Sequence, residues 1–243
     1  MITIAVSDIV THVRSAIDEL MVNDSNFLSQ STDEENLTNV IIDKIGYALQ
    51  YVIENAPLEK LDSSVFDTLT PTELANNFSL VDIGTQQNPV YKGRLKLPDD
   101  LLHIIDARLS SWTHFPKPLS DSSQEAVMQQ DEYARGSWDR PVNILTYDGA
   151  DRYLDMYCAK VGTGTGMDTL KFTLIRKPTV THYTPSDLST NVTVPSLLEA
   201  ALIYQIAGMA MTAFQEDIAA SLFAIAQKHL ETGELKNELN SQD

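Results

Sequence analysis

Along the first twenty residues apolar side chains recur every three or four positions, at Ile9, Val10, Val13, Ile17, Leu20 and Met21. That period gathers them on one helical face, and Ser7 just ahead of them is a good N-cap. A second amphipathic run passes through Leu37, Ile41, Ile45, Ala48, Leu49 and Val52. It opens with a capping box, Thr32 capping and Glu35 reaching back, and stops at Pro57. Thr70, Pro71 and Glu73 repeat these start signals, but the apolar pattern behind them fails at Asn76 and Asn77, which predicts a short helix.

From about Leu80 the period changes to alternation. Tyr91, Gly93, Leu95 and Leu97 point one way and Lys92, Arg94 and Lys96 the other, until Pro98, the pattern of a half-exposed strand. Further strands are predicted at 104–109, 142–147, 152–158 and 170–176, with Asp148-Gly149 as a hairpin turn between two of them. Pro178, Pro185 and the Ser/Thr-rich stretch 179–193 read as a linker, although Asn191 to Val194 is strand-like. Pro195 opens the longest helical pattern, 196 to about 230. A polar break at Gln215, Glu216 and Asp217 makes it two helices or one kinked helix. Residues 197–214 are apolar almost all round, so this segment is expected to be buried between the two N-terminal helices or against a neighbouring subunit. The tail from Glu231 reads as loose.

The fold class expected from these patterns is α+β: mainly an α-helical bundle with an inserted small antiparallel β module. The bundle comprises two N-terminal helices plus a long C-terminal helix or helix pair, residues 1–79 and 194–243. The insertion takes 80–180, and 181–193 is the linker.

Charge sharpens this division. The chain carries 17 basic and 34 acidic residues, a net of −17, which argues against a nucleic-acid binder. Residues 1–89 hold 3 basic and 14 acidic, 90–180 hold 12 and 12, and 181–243 hold 2 and 8, so the ends are acidic and the middle is neutral. The start MITIAVSDIVTHV has no basic leader followed by an apolar run, and no stretch has the length needed to span a bilayer; the expectation is a soluble chain without an export signal.

Candidate chemistry is sparse. The single cysteine, Cys158, rules out an internal disulfide, and five scattered His form no zinc-type cluster, so neither metal nor cofactor is expected. The run Gly162-Thr163-Gly164-Thr165-Gly166 is followed by the strand pattern 170–176 rather than the helix that a phosphate loop requires, which favours a hairpin loop. Glu34-Glu35 and Asp99-Asp100 read as acids at helix starts rather than an acid–base pair. No G-x-S-x-G elbow occurs, and no catalytic residues are assigned. Arg135, Trp138 and Arg140 in YARGSWDRP, with Trp112 in SSWTHFPKP, are residue types favoured at interface hot spots; a Trp capping the edge of the small sheet is the competing reading.

One order of elements resembles a known family. The segment 97–112, LPDDLLHIIDARLSSW, is followed by a polar helix near 122–130, a loop with Trp138, the hairpin at Asp148-Gly149 and the closing apolar helix LLEAALIYQIAGMAM. That series, covering about the last two thirds of the chain, resembles the head-to-tail connector proteins of tailed bacteriophages, also called adaptors or ring proteins, and in flavour those of crAss-like short-tailed phages. The resemblance implies a homo-oligomeric ring of roughly twelve-fold symmetry, a dodecamer. The ring would dock below the portal protein, meet a tail or second ring protein on its other side, and let the genome pass without specific binding. It implies assembly in the host cytoplasm and residence in the virion neck, and no catalytic residues carry over. Acidic surface lining such a channel would repel phosphates; acidity serving solubility alone is the other reading.

A head-to-tail ring uses two unlike patches per subunit, which fits an acidic helical body and a charge-balanced sheet module. Arg94, Lys96 and Arg108 are therefore expected to face acidic helical surface on an adjacent subunit or the portal. The alternatives are another tail or head-completion structural protein and, from a different class, a small-molecule enzyme using the 162–166 loop.

Overall fold

A computed structural model describes residues 1–20, 31–84, 90–129, 131, 135, 140–159 and 168–231, with 31–34 described as backbone only. The chain divides into two compact units. Met1–Val65 with Lys177–Asp243 form the first, and Phe66–Arg176 the second.

In chain order the first unit opens with β1 (Ile2–Ala5), α1 (Val6–Leu20) and α2 (Ser31–Asn55). The second runs through β2 (Phe66–Thr68), α3 (Pro71–Asn77), β3 (Phe78–Asp82), β4 (Tyr91–Lys96), β5 (Leu101–Leu109), β6 (Leu119–Ser120), α4 (Gln124–Met128), β7 (Val142–Asp148), β8 (Asp151–Ala159) and β9 (Leu170–Arg176). β10 (Asn191–Val194), α5 (Glu199–Met211) and α6 (Glu216–Glu231) then complete the first.

A mainly helical bundle with a small β module is therefore not what the chain forms. The described residues contain ten strands in three sheets of two, three and five strands. Three of the strands have two to four residues and little alternation to betray them: β1, β2 and β6 owe their strand conformation to the partner across the ladder. The second unit begins at Phe66 because β2 pairs with β9, Asp67 lying opposite Leu174.

In the first unit α5 is the central element. Leu202, Ile206, Ala207 and Ala210 are fully buried, and α1, α2 and α6 all pack on it. Each buried Leu or Ile contributes roughly 1.5–3 kcal/mol, so the all-round apolar pattern of this helix is spent inside its own unit. The 3-10 turn Ser196–Leu198 leads into α5, and Glu216 and Asp217, the acids of the polar break, sit in the first turn of α6 at its positive end. The stretch 181–193 is built into the unit. Thr184 and Asp187 form a capping box around a 3-10 turn, and Ile4 of β1 lies opposite Val192 of β10.

The second unit is a two-sheet stack. β2-β9-β5 faces β3-β4-β8-β7-β6, with Leu95, Leu154, Met156, Ala107, Leu109, Phe172 and Leu174 between them. Gly149 takes φ +62° at the first of the two residues joining β7 to β8, a left-handed position that glycine adopts without strain. At the other end of β8 the pairing with β4 skips Cys158, which bulges out with φ 73°.

Candidate functional site

The alternation that predicts β4 sends Lys92, Arg94 and Lys96 to one face of the five-stranded sheet, and the register sets Tyr157, Asp155 and Tyr153 of β8 opposite them. Asp155 is only 2% exposed. Lys92 Nζ donates to its Oδ2 at 2.6 Å, and Arg94 Nε stands 3.5 Å from Oδ1. The two cations also lie over aromatic rings, Arg94 4.3 Å from the Tyr153 centroid and Lys92 5.5 Å from that of Tyr157. Lys96 pairs with Asp151 at 2.7 Å and Arg108 with Asp106 at 3.2 Å. Arg94, Lys96 and Arg108 thus find acids on their own sheets, and the structure does not bring the three together as one unpaired basic patch.

Trp112 is 5% exposed and belongs to the core between the sheets, its Nε1 donating to the Cys158 carbonyl at 3.3 Å. That bond closes the core over the β8 bulge. Burial pushes the Cys158 thiol above its ordinary pKa, the opposite of what a reactive thiolate requires. Arg135 donates from Nε to the Gln129 carbonyl at 2.8 Å. Trp138 and the 162–166 glycine run lie outside the described residues.

Asp99 and Asp100 do not start a helix. They occupy the turn into β5, where Asp100 meets Arg176. Arg176 is a charge hub that the sequence pattern does not reveal: from the end of β9 it reaches Asp67 and Glu73 at 2.7 Å each and Asp100 at 3.0 Å. It ties β2, α3 and the β5 turn to one strand. Glu73 in turn completes the Thr70 capping box, and hydrogen bonds from Thr70, then from Arg176, hold its carboxyl below the usual range. No local signal marks such a hub, because its members are separated by up to 109 positions.

Concavities lie in each unit. One of about 260 Å³ in the second unit is lined by Leu101, His103, Leu145, Tyr147 and Arg152. His103 Nε2 is buried there without a hydrogen-bond partner among the described residues. Another, about 340 Å³, lies in the first unit between α1 and α5, with His12, Glu19, Glu199 and Tyr204 on its walls. Among the described residues no group of three or more His, Cys, Asp or Glu is placed to hold a metal ion, and no helix is long and apolar enough to cross a membrane.

No protein-family model matches the chain, and no curated protein matches it.

Proposed function

We propose that this chain is a structural subunit of a phage head-to-tail connector ring. In this reading it docks below the portal in the virion neck, joins a tail or second ring protein, and lets the genome pass through a central channel. The observation that carries the reading is the division of charge between two unlike units. The first holds 6 basic and 19 acidic residues, the second 11 and 15. A closed head-to-tail ring needs two different patches on each copy, and a chain with one strongly acidic and one nearly balanced unit supplies them.

Exposed large apolar side chains support the same reading. Tyr47 and Tyr51 lie one turn apart on α2, and Leu58, Leu188 and Leu197 are exposed elsewhere on the first unit. Covered by neighbouring copies, they bury area that a lone subunit leaves in water. The resemblance in the order of elements adds the portal and the channel. Negative-stain electron microscopy of the purified chain tests the proposal. Annular particles of uniform diameter are expected; compact single subunits at every concentration would contradict it.

A further inference from the structure

Resting on the ring reading, we infer that consecutive copies join through the α1–α5 groove of one and the β6–β7 corner of the next. Two residues of the second unit stand apart from its other cations. Every other described lysine and arginine there is held within its own unit. Lys92 and Arg94 bind Asp155, Lys96 binds Asp151, and Arg108 and Lys171 bind Asp106. Arg135 and Arg152 donate to backbone carbonyls, and Arg176 holds three acids. The exposed side chains of Lys117 and Arg140 have no hydrogen bond and no ion pair among the described residues.

The fold brings these two to one place. β6 pairs in parallel with β7, Leu119 opposite Ile144, so Lys117 and Arg140 both lie just ahead of the paired residues. Asn143 Nδ2 donates to the Pro116 carbonyl at 3.1 Å and fixes the two approaches side by side. β6 is the two-residue edge of the five-stranded sheet, and α4, which packs on it, leaves Val127 57% and Met128 43% exposed. The corner thus sets these two cations beside exposed apolar side chains, with Asp121, directly after β6, and Glu125 of α4 the acids on the same elements.

The α1–α5 groove has the opposite charge and the same mixture. Glu19 and Glu199 line it with no hydrogen bond or ion pair among the described residues, above a floor that includes Ala16 and Ile203. Leu20, adjacent to Glu19, is 40% exposed, and Leu197, two positions before Glu199, is 64% exposed. Two carboxylates beside two exposed leucines match two cations beside two exposed apolar side chains. Such a contact joins unlike faces, so each copy offers a groove to one neighbour and a corner to the other.

Charge reversal tests the pairing, with sedimentation velocity reading assembly at low salt, where exposed charges act most strongly. The pair Lys117→Glu with Arg140→Glu, and separately Glu19→Lys with Glu199→Lys, should each weaken self-association at least ten-fold. An equimolar mixture of the two variants should recover it, because each groove then meets a corner of opposite sign. Recovery also demonstrates that both variants fold. Assembly unchanged in either variant, or absent from the mixture, would overturn this contact while leaving the ring reading in place. A parent chain that stays monomeric under the same conditions would overturn both.

Discussion

At the residue scale the second unit depends on charges placed where water barely reaches. Asp155 is buried between Lys92 and Arg94, and taking its charge away strands Lys92, whose side chain is itself 14% exposed. Removing one partner of a buried ion pair is far more damaging than never having had the pair. Asp155→Asn should therefore lower stability by about 2–3 kcal/mol in urea unfolding, discounted from the fully buried case because Arg94 is one-third exposed. A loss under about 0.5 kcal/mol would mean that the cations relax into solvent at little cost. Glu73 makes a different prediction, since its pKa lies below the ordinary 4.5. A depressed carboxyl stabilises the fold above that ordinary value, and the contribution fades as pH falls through the lowered pKa. Glu73→Gln should flatten the acid limb of the stability curve below about pH 4.5; superimposable acid limbs for variant and parent would contradict it.

The alternation of β4 is legible at this scale and names Lys92, Arg94 and Lys96 as one face. Their partners are not, because Asp155 and Asp151 reach that face only through the β4–β8 register, which no local pattern encodes.

At the scale of elements, long periodic segments are legible in the sequence and short ones are not. β9 spans the predicted 170–176, and the Thr70 capping box opens α3 as expected. β1, β2 and β6 leave no such trace, β2 and β6 because three and two residues are too few to show a period, whereas the four residues of β10, Asn191 to Val194, do show one. Close packing between elements is also invisible locally, as two helical glycines illustrate. A Cβ on Gly46 of α2 would lie 2.0 Å from the Thr181 carbonyl oxygen, whereas one on Gly208 of α5 would meet the Phe223 ring of α6 at 2.6 Å. Alanine gains about 1 kcal/mol of helix propensity over glycine at both positions. Against an immovable carbonyl the clash wins, and Gly46→Ala should cost about 1–2 kcal/mol net. The Phe223 side chain can swing aside, so Gly208→Ala should stay within about 1 kcal/mol of the parent. Thermal denaturation of the two variants gives the order, and a more damaging change at Gly208 would show that the α5–α6 contact is the stiffer one.

At the scale of the molecule, the split in composition between acidic ends and neutral middle is readable from the residues alone. It follows the two units, whose boundaries fall at 65/66 and 176/177 rather than at 79/80 and 180/181. Local patterns underestimate the share of β structure because pairing across the insertion recruits residues 66–68 and 78–82 into the sheets. Arg94, Lys96 and Arg108 each have an acid on their own sheet, whereas Lys117 and Arg140, the pair on which the proposed contact rests, lie beside the β6–β7 ladder.

The central claim is that copies of this chain close on one another, and the mass of the purified particle tests it most directly. Mass photometry should show one dominant species at an integral multiple of 27.0 kDa well above a dimer. A single peak at 27.0 kDa, unchanged as concentration rises, would contradict the account.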